Sequence, residues 1–369
     1  MESFFGHVFR DKKVFVTGHT GFKGSWLTSW LLDLGAEVCG YSIGIPTQPS
    51  LFEEAKLSAA IRHEVGDIRD LARLSSVIQS FRPDFVFHLA AQAVVSISYA
   101  QPLDTLGVNI IGTGTILEAL KSVTWPCSGV IITSDKAYDN VEWEWGYRET
   151  DRLGGKDIYS ASKGAAELVF RSYISSFFAS DNSPVLLATA RAGNVIGGGD
   201  WAADRIVADC IRAWMNGKVV EIRSPQATRP WQHVLEPLSG YLTLASRLAG
   251  NRALHGESFN FGPRAEQNAT VLQLVSSLAE MWKAEDPNTC YRVTANVPFK
   301  EASLLKLNID KALLRLRWEP NLSYLDCMEM TGIWYREFVK NKASAAELVK
   351  ADLRKYECEA VKLGRVWAT

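Results

Sequence analysis

Residues 13–26 read KVFVTGHTGFKGSW. VFVT is a compact run of β-branched and aromatic side chains, the pattern of a buried strand. FKGSWLTSWLLDLG (22–35) follows with helical spacing and is closed by Gly35. The turn between them holds Gly18, Gly21 and Gly24, spaced G-x-x-G-x-x-G. Such a turn lets backbone come close to a phosphate. The helix start behind it offers unpaired N–H groups and a partial positive charge to a pyrophosphate. Gly18, His19, Thr20, Gly21, Phe22, Lys23 and Gly24 are therefore candidate dinucleotide contacts.

Outward from that turn, AEVCGYSI (36–43), DFVFHLAA (84–91), GVIITSD (129–135) and VLLATARAG (185–193) are nearly continuous apolar runs. Strands covered on both faces read this way. Helical patterns separate them at 71–83, near 101–122 and at 159–178. Repeated strand–helix units predict an α/β protein with a Rossmann-type doubly wound parallel sheet and right-handed crossovers. The rhythm changes after residue 193. NVIGGGDWA is a glycine-rich turn, ADRIVADCIRAWMNG a helix, and VVEIRSPQATRPWQHVLEP a strand running into a proline-punctuated loop. FNFGP (259–263) and helices near 270–284 and 323–345 complete a smaller mixed C-terminal unit. The expected domains are 1–193, binding a dinucleotide with help from a returning segment near 230–258, and 194–369, mainly the substrate domain. The charged tail from about 343 is predicted to be helical, with no function attached.

The chain has 369 residues, 47% hydrophobic and 22% charged, with a formal net charge of −1. That apolar fraction excludes disorder, and the charge balance offers no field for nucleic acid. Six cysteines lie at least 31 positions apart, without metal-ligand spacing, so no metal site and six inert thiols are expected. No apolar run approaches the length of a membrane span, about 18 residues. The start, MESFFGHVFRDKK, lacks the apolar core of a signal peptide. The expectation is a soluble, cytoplasmic protein with no membrane partner.

Tyr159 and Lys163 lie four apart in YSASK, on one face of a predicted helix. An ammonium beside a phenol favours phenolate, so the pair can take a proton from a hydroxyl while hydride leaves the same carbon. Ser134, Asp135 and Lys136 stand in TSDKAYD at the carboxyl end of the fifth strand, the edge where open α/β sheets bind ligands. A solvated turn is the plain alternative. With the Tyr/Lys pair, an acid and a base there suit elimination of water beside a transient ketone. The second strand ends in CGYSIGIP without Asp or Glu, so the usual ribose test does not choose between NAD and NADP. The absence of basic residues there argues against a 2′-phosphate. Asp67, in EVGDIRD, is a candidate adenine contact or the N-cap of the next helix.

GHTGFKGSW, HLAAQ, TSDKAYD, YSASKGAAEL, ARAGNVIGGGDW and RPWQHVLEP together resemble the extended short-chain dehydrogenase/reductases. Within these the chain is most similar to the nucleotide-sugar 4,6-dehydratases, and GHTGFKG, SDK and RAGNVIGGGDW resemble their CDP-glucose branch. The likeness runs from about residue 10 to 320. It implies NAD as cofactor, touched also by Ile68, Leu89, Ala90 and Ala91, and CDP-glucose as substrate. It further implies that Tyr159 deprotonates the C4 hydroxyl, Lys136 takes the C5 proton, Asp135 protonates the departing C6 hydroxyl and Ser134 supports O4. Lys163 would lower the Tyr159 pKa and hold the nicotinamide ribose. The related dTDP-glucose enzymes usually carry Asp-Glu where this chain has Asp135 and Lys136, and Lys136 must be neutral to accept a proton. Asn194 matches a substrate position. Arg205 and Arg229 are candidates for the diphosphate, each with an ordinary ion pair as its alternative. The long aromatic segment 139–157 covers the substrate or is a plain connection, and Trp143, Trp145 and Trp201 are not assigned to the site. A homodimer or homotetramer is expected, with 159–178 at the interface. A 4-epimerase would need Tyr159 and Lys163 but not the acid and base beside them. A dinucleotide-sensing binding protein would need neither pair.

Overall fold

The computed structural model describes residues 3–282, 290–294 and 304–369. Six strands of the first half are β1 (Lys13–Thr17), β2 (Glu37–Ser42), β3 (Arg62–Val65), β4 (Phe85–His88), β5 (Cys127–Ile132) and β6 (Val185–Ala192); β7 (Ser258–Phe261) joins them later. All seven pair in parallel in one sheet, ordered β7-β6-β5-β4-β1-β2-β3. From β1 the chain builds outward to β3, then crosses back to lay β4 on the other side of β1, with Thr17 level with both Tyr41 and His88. At such a reversal the two following loops part and leave a crevice at the carboxyl edge.

Continuous apolar strands require cover on both faces, and helices supply it. α1 (Phe22–Asp33), α2 (Leu71–Phe81), α3 (Gly112–Lys121) and α4 (Ile158–Tyr173) come from the first half; α5 (Ile206–Met215), α6 (Leu235–Gly250), α7 (Val271–Met281), α8 (Tyr324–Val339) and α9 (Ala345–Lys362) from the second. On one face Leu74, Ile78, Ile116, Leu117 and Phe170 from α2, α3 and α4 pack against Phe15, Val86 and Ile131. On the other, α1 and α6 bury Trp26, Trp30, Leu238 and Leu242 with Val14, Val16 and Val130. The charged tail forms α9, which lies on α1: Trp30 Nε1 donates to Glu357 Oε1 at 3.0 Å. Truncating a buried tryptophan such as Trp30 costs about 3–5 kcal/mol.

Two segments depart from the sequence expectation. FNFGP, read as part of the smaller unit, supplies β7 at the edge of the central sheet, paired with β6. The single helix expected near 101–122 is broken into Pro102–Leu106, a π-helical turn at Gly107–Ile111, and α3. The wider turn aims Asn109 inward. The helix expected near 323–345 is α8, and the helical tail expected from about 343 is α9. The one near 270–284 is α7, ending at Met281; residues 283 and 284 fall outside the described residues.

Short strand pairs build the remainder: Val195–Ile196 with Gln232–His233, Thr228–Arg229 with Ala269–Thr270, and Val220–Ile222 with Tyr291–Val293. α6 packs on β5 and β6. Among the described residues no helix is long and apolar enough to cross a membrane. The cysteines are free thiols; Cys39, Cys127, Cys210 and Cys327 are buried, whereas Cys358 is exposed.

Candidate active site

The glycine turn is built by contact between loops of adjacent strands. Gly18 has φ +74°, and a Cβ there would lie 2.7 Å from the Ala90 nitrogen and 2.8 Å from the Leu89 carbonyl carbon. On Gly24 a Cβ would lie 2.1 Å from the Gly18 carbonyl oxygen. Only hydrogen fits at either place, so the start of α1 is drawn against the end of β1. Gly21 is the N-cap of α1 and no side chain caps that helix, which leaves first-turn N–H groups for a ligand. Across the crevice, Ala90 N donates to Thr17 Oγ1 at 3.2 Å, and the same oxygen lies 2.8 Å from His88 Nδ1. This cradle suits the pyrophosphate of a dinucleotide.

The side chains of the turn diverge. His19 is buried beside β2, with Nδ1 3.0 Å from Ser42 Oγ and Nε2 2.7 Å from His63 Nδ1. Burial, and then the charge of His63, push its pKa down to about 4, so it is neutral at pH 7. Thr20 Oγ1 donates to Gly44 O at 2.6 Å, and the Phe22 ring lies against Gly197. Lys23 turns toward Asp135 and Lys163: burial and the charges of Arg205 and Lys163 lower its pKa to about 8, while Asp135 opposes them. Asp67 is engaged by Arg69, which donates from Nε at 3.0 Å and Nη2 at 2.6 Å. It does not cap α2. That role belongs to Asp70, whose Oδ1 accepts from Arg73 N at 3.0 Å. Ile68 is buried against Gly112.

Two local structures meet at the carboxyl edge of β5. Ser134 caps a single 3-10 turn, Asp135–Ala137, by accepting from Lys136 N at 3.2 Å, and its hydroxyl donates to Asp135 Oδ1 at 2.9 Å. α4 starts at an Asp157 cap that accepts from Ser160 N at 2.9 Å, and this brings Tyr159 and Lys163 onto its buried face. Gly164 allows close approach: a Cβ there would lie 2.9 Å from Gly154 O and 3.2 Å from Ala137 O. The Tyr159 hydroxyl consequently lies within the electrostatic reach of Ser134 and Asp135. Ser134, Asp135, Tyr159 and Lys163 are all buried, and Lys136 rides on the same turn half-buried.

Burial pushes the Asp135 carboxyl above its ordinary range, against Lys136, Ser134 and Lys23, and so favours a protonated acid. Lys163 is lowered to about 8 by burial, opposed by Glu167. The expectation that Lys163 depresses the Tyr159 pKa is corrected. Burial raises the phenol above its ordinary value, and the influences working against this are the charge of Arg205 first and the Ser134 hydrogen bond second. Arg205 is held over the site by donating to Ala93 O at 2.9 Å, next to Asp204, which accepts from Ser96 Oγ. Arg229 is buried in its strand pair and donates to Thr228 O at 2.8 Å. Asn194 is half-buried, with its carbonyl accepting from Gln232 N at 3.3 Å. In segment 139–157, Tyr147 stacks on Tyr138 and is buried, whereas Trp145 is exposed; Trp201 is buried edge-on to Tyr335.

The structure adds residues that sequence reasoning missed. Asn109 accepts from Gln92 N at 2.9 Å and donates to Ser162 Oγ at 2.9 Å, and Ser162 donates to Tyr159 O at 2.6 Å. Its only signal was a polar residue inside an apolar helical run. Tyr241, on α6, is buried within reach of the Asp135 charge, which raises its phenol further above its ordinary value after burial. Nothing local in the sequence marks it.

The arrangement has counterparts among known proteins. Residues 15–331 match the family model described as GDP-mannose 4,6 dehydratase. The chain is 46% identical over 336 residues to CDP-glucose 4,6-dehydratase from Salmonella typhimurium, covering 90% of this chain and 93% of that one. It is 24% identical to dTDP-glucose 4,6-dehydratase from Haemophilus influenzae, over 87% of this chain and 97% of the other. Among solved structures, dTDP-glucose 4,6-dehydratase from Streptomyces venezuelae, with NAD bound, superposes with a TM-score of 0.75 at 23% identity, covering 88% and 97% of the two chains.

Proposed function

The chain belongs to the GDP-mannose 4,6-dehydratase family, and from that premise we propose that it converts CDP-D-glucose to CDP-4-dehydro-6-deoxy-D-glucose and water. The observation that carries the reading is the meeting of the Ser134–Lys136 turn with Tyr159: a buried carboxyl whose pKa burial raises, on the same carboxyl edge as a buried phenol of the kind that removes a hydroxyl proton. A 4-epimerase has no use for that acid. CDP-glucose as the particular substrate is supported by the 46% identity.

NAD fits the cradle of Gly18, Gly24 and the uncapped start of α1. Bound there, it would take a hydride from C4 of the hexose and return it to C6, so that the cycle is redox-neutral. Tyr159 removes the C4 hydroxyl proton, and Ser134 steadies the oxygen as charge develops. Once C4 is a ketone the C5 proton is acidic, and Lys136 in its neutral form removes it. Asp135 gives its proton to the C6 hydroxyl, which leaves as water. Lys163 would hold the nicotinamide ribose of the bound NAD. The cations Lys23 and Arg205 suit the substrate diphosphate, with Arg229 and Asn194 contributing farther along the nucleotide.

The reading extends to assembly and place. Leu103, Ile111, Leu168 and Phe177 are 81, 60, 54 and 53% exposed, an apolar set on the 102–111 segment and 159–178 that a second copy would cover. Six free thiols suit the reducing cytoplasm, and the product is a precursor of deoxysugars for surface polysaccharide.

The test is incubation with NAD and CDP-, dTDP-, UDP- or GDP-sugars, reading the alkali-induced absorbance of a 4-keto-6-deoxy product. CDP-glucose alone should give it, and Tyr159→Phe should abolish it. CDP-galactose as the product would replace dehydration by epimerisation. Light scattering showing a monomer would remove the proposed interface.

A further inference from the structure

Glu167 lies one helical turn beyond Lys163 on α4, and it forms an ion pair with Arg191 of β6 at 2.8 Å; neither side chain has any exposed surface. Its carboxylate is saturated. Oε1 accepts from the Thr133 hydroxyl and from Arg191 Nε at 2.9 Å; Oε2 accepts from Arg191 Nη2, from Thr189 Oγ1 at 3.1 Å and from Ser258 Oγ at 3.3 Å. Arg191 Nη1 donates in turn to the Tyr138 hydroxyl at 2.7 Å, and that hydroxyl donates to Asn260 Oδ1 at 2.8 Å. Thr133 and Tyr138 are the residues that bracket the Ser134–Ala137 segment. Both ends of the catalytic turn are therefore tied into one ion pair carried by the catalytic helix and its neighbouring strand.

Stability alone does not account for such a pair, because well-packed apolar residues of similar volume generally do as well in a core. We propose that Glu167 is a positioning residue for the dehydration: clasped by Arg191, it holds the Ser134–Lys136 turn in register with the helix face that carries Lys163, across the junction of β5 and α4. This rests on the proposed function, in which Lys163 and that turn serve one hexose.

The charges around Lys163 fit the role. Burial lowers it to about 8, and Glu167 is the anion that opposes this. His88, facing it from β4, is pushed down to about 3 by burial and by Lys163 and stays neutral. Lys23, from α1, is a second cation. Without Glu167, burial would meet no counter-charge on the helix, and the lysine would lose its proton at lower pH.

The experiment compares wild type with Glu167→Gln/Arg191→Met, which leaves no unpaired buried charge, and with Glu167→Asp, which keeps the carboxylate. Folding is checked by thermal melt and NAD binding. The readouts are titration of 13Cε-labelled lysines by NMR, with Lys163 assigned by its loss in Lys163→Met, and the pH dependence of kcat. In the double variant the Lys163 midpoint should fall by about one pH unit, with the alkaline limb of kcat following it and kcat at pH 8 down about five-fold. Glu167→Asp should be slower at every pH yet keep the limb of wild type. A folded double variant with the wild-type midpoint and limb overturns the proposal. If the double variant does not fold, Glu167→Asp decides alone: wild-type kcat would overturn it, because the shortened carboxylate can no longer reach both the turn and Arg191. Absence of dehydration by wild type at any pH would count against the proposed function, whereas the lysine titration needs no turnover and still judges Glu167.

Discussion

The Ser134 hydroxyl donates to Asp135 Oδ1 at 2.9 Å and also acts on the Tyr159 phenol, so one side chain links a buried carboxyl to a buried phenol. The carboxyl is buried, and that burial raises its pKa above the ordinary carboxylate range.

Asp135→Asn keeps the shape of the turn and removes the proton donor. The expected result is a loss of roughly 10²–10⁴-fold in dehydration, the usual size of a general-acid contribution, with NAD affinity unchanged. Turnover and cofactor binding measured on the same preparation check it, and undiminished turnover would remove Asp135 as the acid.

Arg205→Met tests the cation that acts most on Tyr159. Loss of a nearby positive charge raises a phenol pKa, so the acid limb of the pH–rate profile, where phenolate is gained, should move up by roughly 0.5–1 pH unit. A raised KM with an unmoved limb would confine Arg205 to substrate binding.

Lys163→Met should trade activity for stability. The folded-state pKa, about 8, lies below the ordinary 10.5, because burial disfavours the ammonium. A group shifted down in this way destabilises the fold fully below about pH 8, and the penalty fades as pH rises toward 10.5. At pH 7 the variant should gain on the order of 2 kcal/mol while losing turnover. Denaturant melts at pH 7 and pH 10 check the sign: the gain should shrink at the higher pH, and a destabilised variant at pH 7 contradicts it.

Gly18→Ala introduces a Cβ 2.7 Å from the Ala90 nitrogen at φ +74°. The left-handed backbone alone costs about 1–2 kcal/mol for an L side chain, and the clash forces the β1 and β4 loops apart. A lowered melting temperature and NAD affinity weakened about ten-fold or more are expected, since phosphate binding depends on that close approach. Equilibrium binding of NAD by fluorescence checks the second point; wild-type affinity would show that the cradle is not the pyrophosphate site.

The glycine turn, the apolar strands and the Tyr159–Lys163 pair were legible because each is local. A strand covered on both faces, a turn with no room for Cβ and two residues one helical turn apart all leave their mark within a few positions. The break at 107–111 was not legible, because the π-helical turn is stabilised by Asn109 reaching Gln92 and Ser162, which periodicity cannot register. The edge strand Ser258–Phe261 was placed with the wrong unit for a similar reason: its partner, β6, ends 66 residues earlier.

The chain's residues thus determined on their own the parallel sheet, the glycine turn after β1 and the shared helix face of Tyr159 and Lys163, since those depend on spacing and side-chain type. Only the tertiary structure decided that Arg205 rather than Lys163 is the chief charge on the phenol, that Lys23 turns toward the acid, and that Glu167 and Arg191 lock both ends of the 134–137 turn. Electrostatic influence depends on distance and burial in three dimensions. Both are set by how helices cross the sheet, a quantity that no linear pattern encodes.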